Sequence, residues 1–147
     1  MKNTYMIKSV AAATLMLLGA FTMASAKSGE VRLRTDLSGS AINGITPKGH
    51  VDYRLDDKGR GRFTVEVENV NLPVGTVLTV QVMRGTTAVA LAPNQITLAA
   101  DPAERGNRGE LELETEHGAT VPDLSSGAFT IQVNNGAATI LTGALHN

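Results

Sequence analysis

His50 and Asp52 stand one residue apart in a stretch where polar and apolar side chains alternate. Residues i and i+2 of a β-strand project from the same face, so the imidazole and the carboxylate are expected side by side. Such a pair can ligate a metal ion or orient the imidazole for proton transfer. Because two ligands without a third do not make a metal site, an ordinary solvent-exposed strand face is the competing interpretation.

Acidic residues also recur at every second position from Glu110 to Glu116. On one face of a strand these carboxylates would lie about 6.8 Å apart, and they could collect divalent cations together with a neighbouring strand. The alternative is a row of cross-strand ion pairs, formed with either Arg60 and Arg62 or Arg32 and Arg34. The candidate metal ligands are His50, Asp52, Glu110, Glu112 and Glu114.

The sequence contains no motif for catalysis or for a cofactor. There is no Gly-x-Ser-x-Gly nucleophile motif, and no base is signalled near Ser125 and Ser126. The chain has no cysteine, which excludes disulfides and cysteine-ligated zinc, blue-copper and iron–sulfur centres. We therefore expect a protein that is not an enzyme, has no catalytic residues and needs no cofactor.

The elements that would position these residues are short β-strands. Period-2 alternation, typical of a sheet with one face toward a core and one toward water, runs through residues 31–37, 50–55, 62–68 and 110–114. More apolar segments rich in Val, Ile and Thr cover residues 76–82, 88–92, 95–99, 128–133 and 138–145. Eight or nine short strands at this spacing predict an all-β, antiparallel β-sandwich, with an immunoglobulin-like arrangement as one option.

Two loops between the predicted strands are the expected contact points. One runs from Asn43 to Lys48, and the other is the polar segment from Ala100 to Arg108, which has no strand alternation. Loops held by a rigid sheet often carry binding residues, although a solvated crossover between sheets is the simpler interpretation of the second loop. The candidate interaction residues are Asn43, Lys48, Asp101, Glu104, Arg105 and Arg108.

Residues 1–26 have the features of a secretory signal peptide. A positively charged start is followed by a predominantly apolar stretch, and Ala24-Ser25-Ala26 provides the small side chains needed for cleavage after Ala26. An uncleaved membrane anchor is the alternative, but the apolar run is shorter than the roughly 20 residues that span a bilayer. We therefore expect residues 27–147 to form a single domain, periplasmic or extracellular, with no stable membrane anchor after cleavage.

Charge and aromatic content limit the classes of partner. Removing the predicted signal peptide leaves 11 Lys and Arg against 14 Asp and Glu, a formal net charge of −3. A nucleic-acid-binding domain needs a concentrated basic face, so no nucleic-acid partner is expected. Beyond residue 26 only Tyr53, Phe63 and Phe129 are aromatic, which leaves little for a surface that stacks on sugars or single strands.

Part of the sequence resembles the opening of a CHRD (chordin-type) domain. The resemblance is carried by Leu37-Ser38-Gly39, by Pro47-x-Gly49-x-Val51-x-Tyr53-x-Leu55, and by Phe63-x-Val65-x-Val67-x-x-Val70. It implies a CHRD-like β-sandwich, often exported in bacteria, without a settled molecular activity. The family's usual His-x-His strand is replaced here by residues 76–82, which contain no histidine, so no metal or dismutase role is implied. The segment Ile42–Gly49 is also similar to an Ile-Asn-Gly-x-x-Pro-x-Gly motif of uncharacterised exported bacterial proteins.

The sequence therefore favours an exported, non-enzymatic binding or interaction module. Its expected partner is a protein or a component of the cell envelope. Two alternatives stay open. The first is a periplasmic protein that binds copper, zinc or calcium. The second is an assembly subunit that donates a strand to a neighbouring molecule.

Overall fold

The computed structural model describes residues 29–147, so the predicted signal peptide lies outside the described residues. The strands are β1 Val31–Ser38, β2 Lys48–Leu55, β3 Gly61–Val70, β4 Val77–Arg84, β5 Thr87–Val89, β6 Gln95–Thr97, β7 Asn107–Glu114, β8 Ala128–Asn135 and β9 Ala138–His146. A single turn of 3₁₀ helix, Thr115–His117, follows β7. The predicted all-β fold is confirmed. No helix within residues 29–147 is long and apolar enough to cross a membrane.

All nine strands belong to one antiparallel sheet, which is curled into a half-barrel. The strand order is β5-β4-β8-β9-β1-β2-β3-β7, and β6 pairs with β4. The two ends of the sheet meet at isolated backbone bridges. Ala99 and Arg108 exchange hydrogen bonds of 2.8 and 3.0 Å, and Ala92 and Thr120 exchange bonds of 3.2 and 2.9 Å. These bridges hold the curled sheet around a single core.

The core is filled by the inward-facing residue of every second position. Val51 and Tyr53 of β2 are fully buried, and so are Phe63 and Val65 of β3. From the other half of the sheet the core receives Leu78, Val80, Val82, Ile131, Val133, Leu141 and Leu145. Because strand side chains alternate between faces, this buried set leaves every charged neighbour on the outside.

Two glycines let β1 approach β9 closely. The two strands share the register pair Ser38 and Thr142. A Cβ added at Gly143 would lie 2.5 Å from the carbonyl oxygen of Asp36, and one added at Gly39 would overlap the carbonyl oxygen of Ile140. Any side chain at these positions would therefore push apart the two halves of the sheet where they join.

A buried hydrogen bond of Tyr53 links the sheet to the segment before β8. The phenol oxygen of Tyr53 accepts a hydrogen bond of 3.2 Å from the backbone N–H of Leu124, and both residues are buried. Burial raises the pKa of the Tyr53 phenol above its ordinary value, and the bond from Leu124 opposes this only in part. The neutral phenol is thus the form that the core holds.

Replacing Tyr53 by Phe tests this hydrogen bond. The Y53F variant leaves the buried N–H of Leu124 without its partner, so we expect the free energy of unfolding to fall by about 1–3 kcal/mol. Urea denaturation measures this loss. The control is S125A, which also removes one hydroxyl, from the hydrogen bond that Ser125 donates to Asp123 near the surface. S125A should change stability by less than about 0.5 kcal/mol. Equal effects of the two variants would contradict the role of Tyr53.

Candidate functional site

The outward side chains of β1, β2, β3 and β7 form a dense array of ionisable groups, here called the charged face. The register of these four strands sorts its residues into cross-strand rows. The first row is Arg32, Arg54, Arg62 and Glu114. The second is Arg34, Asp52, Thr64 and Glu112. The third is Asp36, His50, Glu66 and Glu110. Lys48 and Glu68 continue the array beyond the third row.

Positive and negative groups are separated along the charged face. The first row, next to the turn between β2 and β3, contains three arginines on three neighbouring strands. The third row contains three carboxylates around His50. From the first row to the third, the charged face therefore changes from cationic to anionic. A surface with uniformly mixed charges lacks this polarity along the strands.

Four of the five predicted metal candidates lie in the second and third rows, and Glu114 lies in the first. His50 Nε2 is 3.1 Å from Glu66 Oε2, whereas Asp52 forms an ion pair with Arg34. No group of three or more His, Asp or Glu side chains among residues 29–147 is placed to hold a metal ion. The structure thus brings His50 together with Glu66, a residue the sequence did not single out. The metal hypothesis stays a prediction.

Glu112 and Glu114, two of the regularly spaced glutamates of β7, form ion pairs with β3. Arg62 contacts Glu112 and also places its Nε 3.2 Å from Glu114 Oε1. Two arginine pairs were predicted as partners of these glutamates, and the pair that lies opposite them is Arg60 and Arg62. Arg60 Nη1 is 3.0 Å from Glu116 Oε1.

The prediction that Glu116 extends the same strand face is wrong. β7 ends at Glu114, and Glu116 lies in the following turn of 3₁₀ helix. Gly118, with φ of 82°, ends that turn in a left-handed conformation. The turn redirects the chain toward the bridge at Thr120. The strand therefore ends at Glu114, although the alternation of acidic residues in the sequence continues to Glu116.

An open groove of about 570 Å³ runs across the cationic end and centre of the charged face. It is lined by Arg34, Thr35, Asp36, His50, Val51, Asp52, Arg54, Arg62 and Thr64. Among these, Arg34, Arg54 and Thr64 were missed as candidates from sequence. The turn motif at residues 56–59 was the available signal, because a hairpin centred there places Arg54 opposite Arg62.

The two predicted interaction loops meet at the opposite, anionic end of the charged face. Asn43 and Asn71 exchange side-chain to backbone hydrogen bonds of 3.4 and 3.3 Å, and Asn107 Nδ2 donates to the Leu72 carbonyl oxygen at 2.6 Å. Lys48 Nζ is 2.9 Å from Glu68 Oε2. That hydrogen bond raises the pKa of Lys48, with smaller contributions from the charges of Glu68 and Glu104. Lys48 is the first residue of β2 and Asn107 is the first residue of β7, so both predicted loops end earlier than the sequence suggested, and the two segments border one region.

A backbone irregularity in β3 holds the second loop in place. The pairing of β3 with β7 shifts between Val67 and Val70, and Asn69 has a positive φ of 56°. Gly106 packs on this bulge so closely that a Cβ would lie 2.7 Å from the Asn69 carbonyl oxygen. Within the loop Asp101 accepts a hydrogen bond from the Ala103 amide, and its carboxylate is 4.0 Å from Arg108. Glu104 and Arg105 are exposed at its tip.

The outer face of β4, β8 and β9 is very different. Its cross-strand neighbours include Gln81, Gln132 and Thr142 in one row and Met83, Thr130 and Ala144 in the next. None of these side chains is ionisable. The structure therefore confines the charge of the sheet surface largely to one half. The more apolar segments of the sequence indicated the uncharged strands, but not that β4, β8 and β9 lie side by side.

The turn between β2 and β3 fixes the register of the charged rows. Asp56 Oδ1 accepts hydrogen bonds from the amides of Lys58 and Arg60, at 2.9 and 2.8 Å, and its Oδ2 pairs with Arg60 Nε at 2.5 Å. Gly59 adopts a left-handed conformation with φ of 77°. The Arg60 amide, followed by the Arg60 guanidinium and the Lys58 amide, holds the pKa of Asp56 below its ordinary value.

Comparisons of the chain with protein-family models, curated proteins and solved structures find no match. The resemblance of residues 37–70 to CHRD domains stays a prediction, and the function has to be inferred from the geometry of the surface.

The lowered pKa of Asp56 predicts a pH dependence of stability. A carboxylate whose pKa falls on folding stabilises the native state above its unfolded pKa, near 3.9. This contribution is lost as pH falls through the lower, folded pKa. We therefore expect D56N to have a lower urea midpoint than the parent protein at pH 7, with the difference shrinking below about pH 4.

The matched control is D57N, which removes the same charge from the neighbouring position. Asp57 accepts neither of the amide hydrogen bonds that Asp56 receives within the turn. An equal loss of stability in D56N and D57N at pH 7, or a D56N difference unchanged at low pH, would show that the carboxylate of Asp56 does not organise the turn.

Proposed function

We propose that this protein is an exported, non-enzymatic binding module that recognises a protein or a component of the cell envelope through its charged face. The observation that carries this proposal is the segregation of charge. Ionisable side chains fill the outer rows of β1, β2, β3 and β7, whereas the corresponding rows of β4, β8 and β9 are uncharged.

Stability does not explain why the charges are gathered on one side. Exposed ion pairs contribute only about 0–1 kcal/mol each. Most of the pairs on the charged face are of this exposed kind; the side chains of Arg34 and Asp52, for example, are 79% and 23% accessible. A concentrated field is more useful for steering and orienting a charged partner, because complementary charges raise the association rate and fix the orientation of docking.

The groove supports a surface that binds rather than one that catalyses. It is open, lies on the outer face of the curled sheet, and is lined by arginine, acidic and threonine side chains. His50, its single imidazole, is held by Glu66 and is half exposed. No nucleophile activated by a base stands beside it among the lining residues. Such a groove offers hydrogen bonds and charge to a partner that lies across several strands.

Several features of the proposal come from sequence. Export rests on the signal peptide predicted for residues 1–26. The sandwich description is also a proposal, supported by the way residues from both halves of the curled sheet share one core. The metal-binding and strand-donating alternatives stay predictions. For the metal alternative, the supporting geometry is the contact between His50 and Glu66 in an acidic row.

Retention by isolated cell envelopes tests the proposed function. Protein recovered from the expressing bacterium should cosediment with its own envelope fraction, and the retained amount should fall steeply as KCl concentration rises. R34Q removes one cation from the groove and should weaken retention about tenfold, the cost of losing a charge-assisted hydrogen bond.

R84Q is the matched control, because Arg84 lies on β4 and its guanidinium stacks 4.8 Å from the Phe129 ring centroid. It should be retained like the parent protein. Retention that is insensitive to salt, or an equal loss in R34Q and R84Q, would contradict recognition through the charged face.

A further inference from the structure

Three arginines occupy directly opposed positions on neighbouring strands. Arg54 of β2 is the register partner of Arg32 on β1 and of Arg62 on β3. Opposed residues on antiparallel strands have Cβ atoms only about 4.5–5.5 Å apart, and like charges in that relation destabilise the sheet. The arrangement therefore opposes folding unless something compensates for the repulsion.

Acidic neighbours compensate for the outer arginines of this row. Arg32 Nε is 2.7 Å from Glu30 Oε1, and Arg62 is paired with Glu112 and Glu114. Each outer guanidinium thus has a carboxylate of its own. The remaining repulsion between the guanidinium groups acts mainly on Arg54, at the centre of the row.

Arg54, the central arginine, is compensated least. Its Nε lies 3.8 Å from Asp52 Oδ1, and the other oxygen of Asp52 is already engaged by Arg34. The Arg54 side chain is 41% accessible and lines the groove. Arg54 thus has a like charge on either side, and its partner carboxylate is shared with Arg34. Because it also faces an open groove, it is suited to receive an anion from solution.

The groups around Arg54 favour a phosphate over a carboxylate. Arg34, Arg54 and Arg62 line the groove together with Thr35 and Thr64, so several N–H donors and two hydroxyls surround a space that the carboxylates of Asp36 and Asp52 also line. A tetrahedral phosphate presents three or four oxygens to donors arriving from different strands, whereas a carboxylate presents two. Guanidinium groups bind phosphate oxygens with pairs of parallel charge-assisted hydrogen bonds.

We propose that the groove at Arg54 is a binding site for a phosphate group, contacted by Arg34, Arg54 and Arg62. This inference rests on the proposed function and deepens it, because it assigns phosphate chemistry to the partner. The phosphate could be carried by a soluble ligand or by a phospholipid headgroup, and the two sources share the same recognition.

The experiment is a titration with inorganic pyrophosphate, followed by ¹H–¹⁵N correlation spectra at constant ionic strength. We expect saturable shifts of amides in residues 32–36, 50–54 and 62–64, and no saturation with NaCl. R54Q should weaken pyrophosphate binding at least about tenfold, whereas R84Q should bind like the parent protein. A second arm measures cosedimentation with phosphatidylglycerol vesicles against phosphatidylcholine vesicles.

Measuring the stability of R54Q distinguishes loss of the phosphate site from loss of the fold. Because Arg54 is repelled by its neighbours, R54Q should unfold at the same or a higher urea concentration than the parent protein while binding pyrophosphate less well. Retention by phosphatidylglycerol vesicles that R54Q loses and R84Q keeps assigns the phosphate to a headgroup. Saturation by pyrophosphate without vesicle retention assigns it to a soluble ligand.

Failure of both arms, or pyrophosphate affinity equal in R54Q and the parent protein, would overturn the phosphate site. If envelope retention still falls in R34Q when the phosphate arms fail, the charged face remains the recognition surface and only its phosphate chemistry is rejected. Loss of the salt-dependent retention itself would reject the proposed function separately.

Discussion

The register of β2 against its two neighbours is the constraint on which the rest of the structure depends. β2 pairs with β1 and with β3 over its full length of eight residues. Because the side-chain period of a strand is two, a slip of one residue would turn Val51 and Tyr53 to solvent and bury His50 and Asp52. Burial of the apolar set therefore determines which residues face outward, and the register determines how they line up in rows. The turn at Asp56 enforces the same register locally.

This coupling explains why a costly arginine row can persist. Tyr53 and Phe63, inward-facing neighbours of this row, are fully buried, and the loss of their burial would cost far more than the repulsion between exposed guanidinium groups. The core can thus hold charged side chains in positions that their mutual electrostatics would not select. Functional surfaces commonly depart from the most stable arrangement in this way, and the surrounding fold compensates for it.

Much of the fold could be predicted from the sequence because its signals are local. Alternation along residues 31–37, 50–55, 62–68 and 110–114 located β1, β2, β3 and β7, and the antiparallel all-β class followed from it. Pairing between strands distant in sequence could not be read in the same way. The union of all strands in one curled sheet depends on contacts such as those of β1 with β9 and of Ala99 with Arg108.

The candidate site shows the same division. His50, Asp52 and the glutamates of β7 were recognised from their spacing, but the position of Arg54 between Arg32 and Arg62 appears only when three strands are aligned. The meeting of the loops around Asn43 and Asn107 likewise depends on residues 69–72 between them. Glu116 was misplaced because alternation continued in the sequence after the backbone had left the strand. Local periodicity predicts which residues face outward, whereas long-range register decides which of them become neighbours.

Arginine footprinting tests the central claim most directly. Modification by phenylglyoxal, mapped by mass spectrometry, would be compared for the free protein and for the protein bound to its envelope fraction. Recognition through the charged face predicts that Arg34, Arg54 and Arg62 become protected on binding, while Arg84 on β4 reacts at an unchanged rate. Protection of Arg84 with unchanged reactivity of the three groove arginines would contradict the account and move the binding surface to the other half of the sheet.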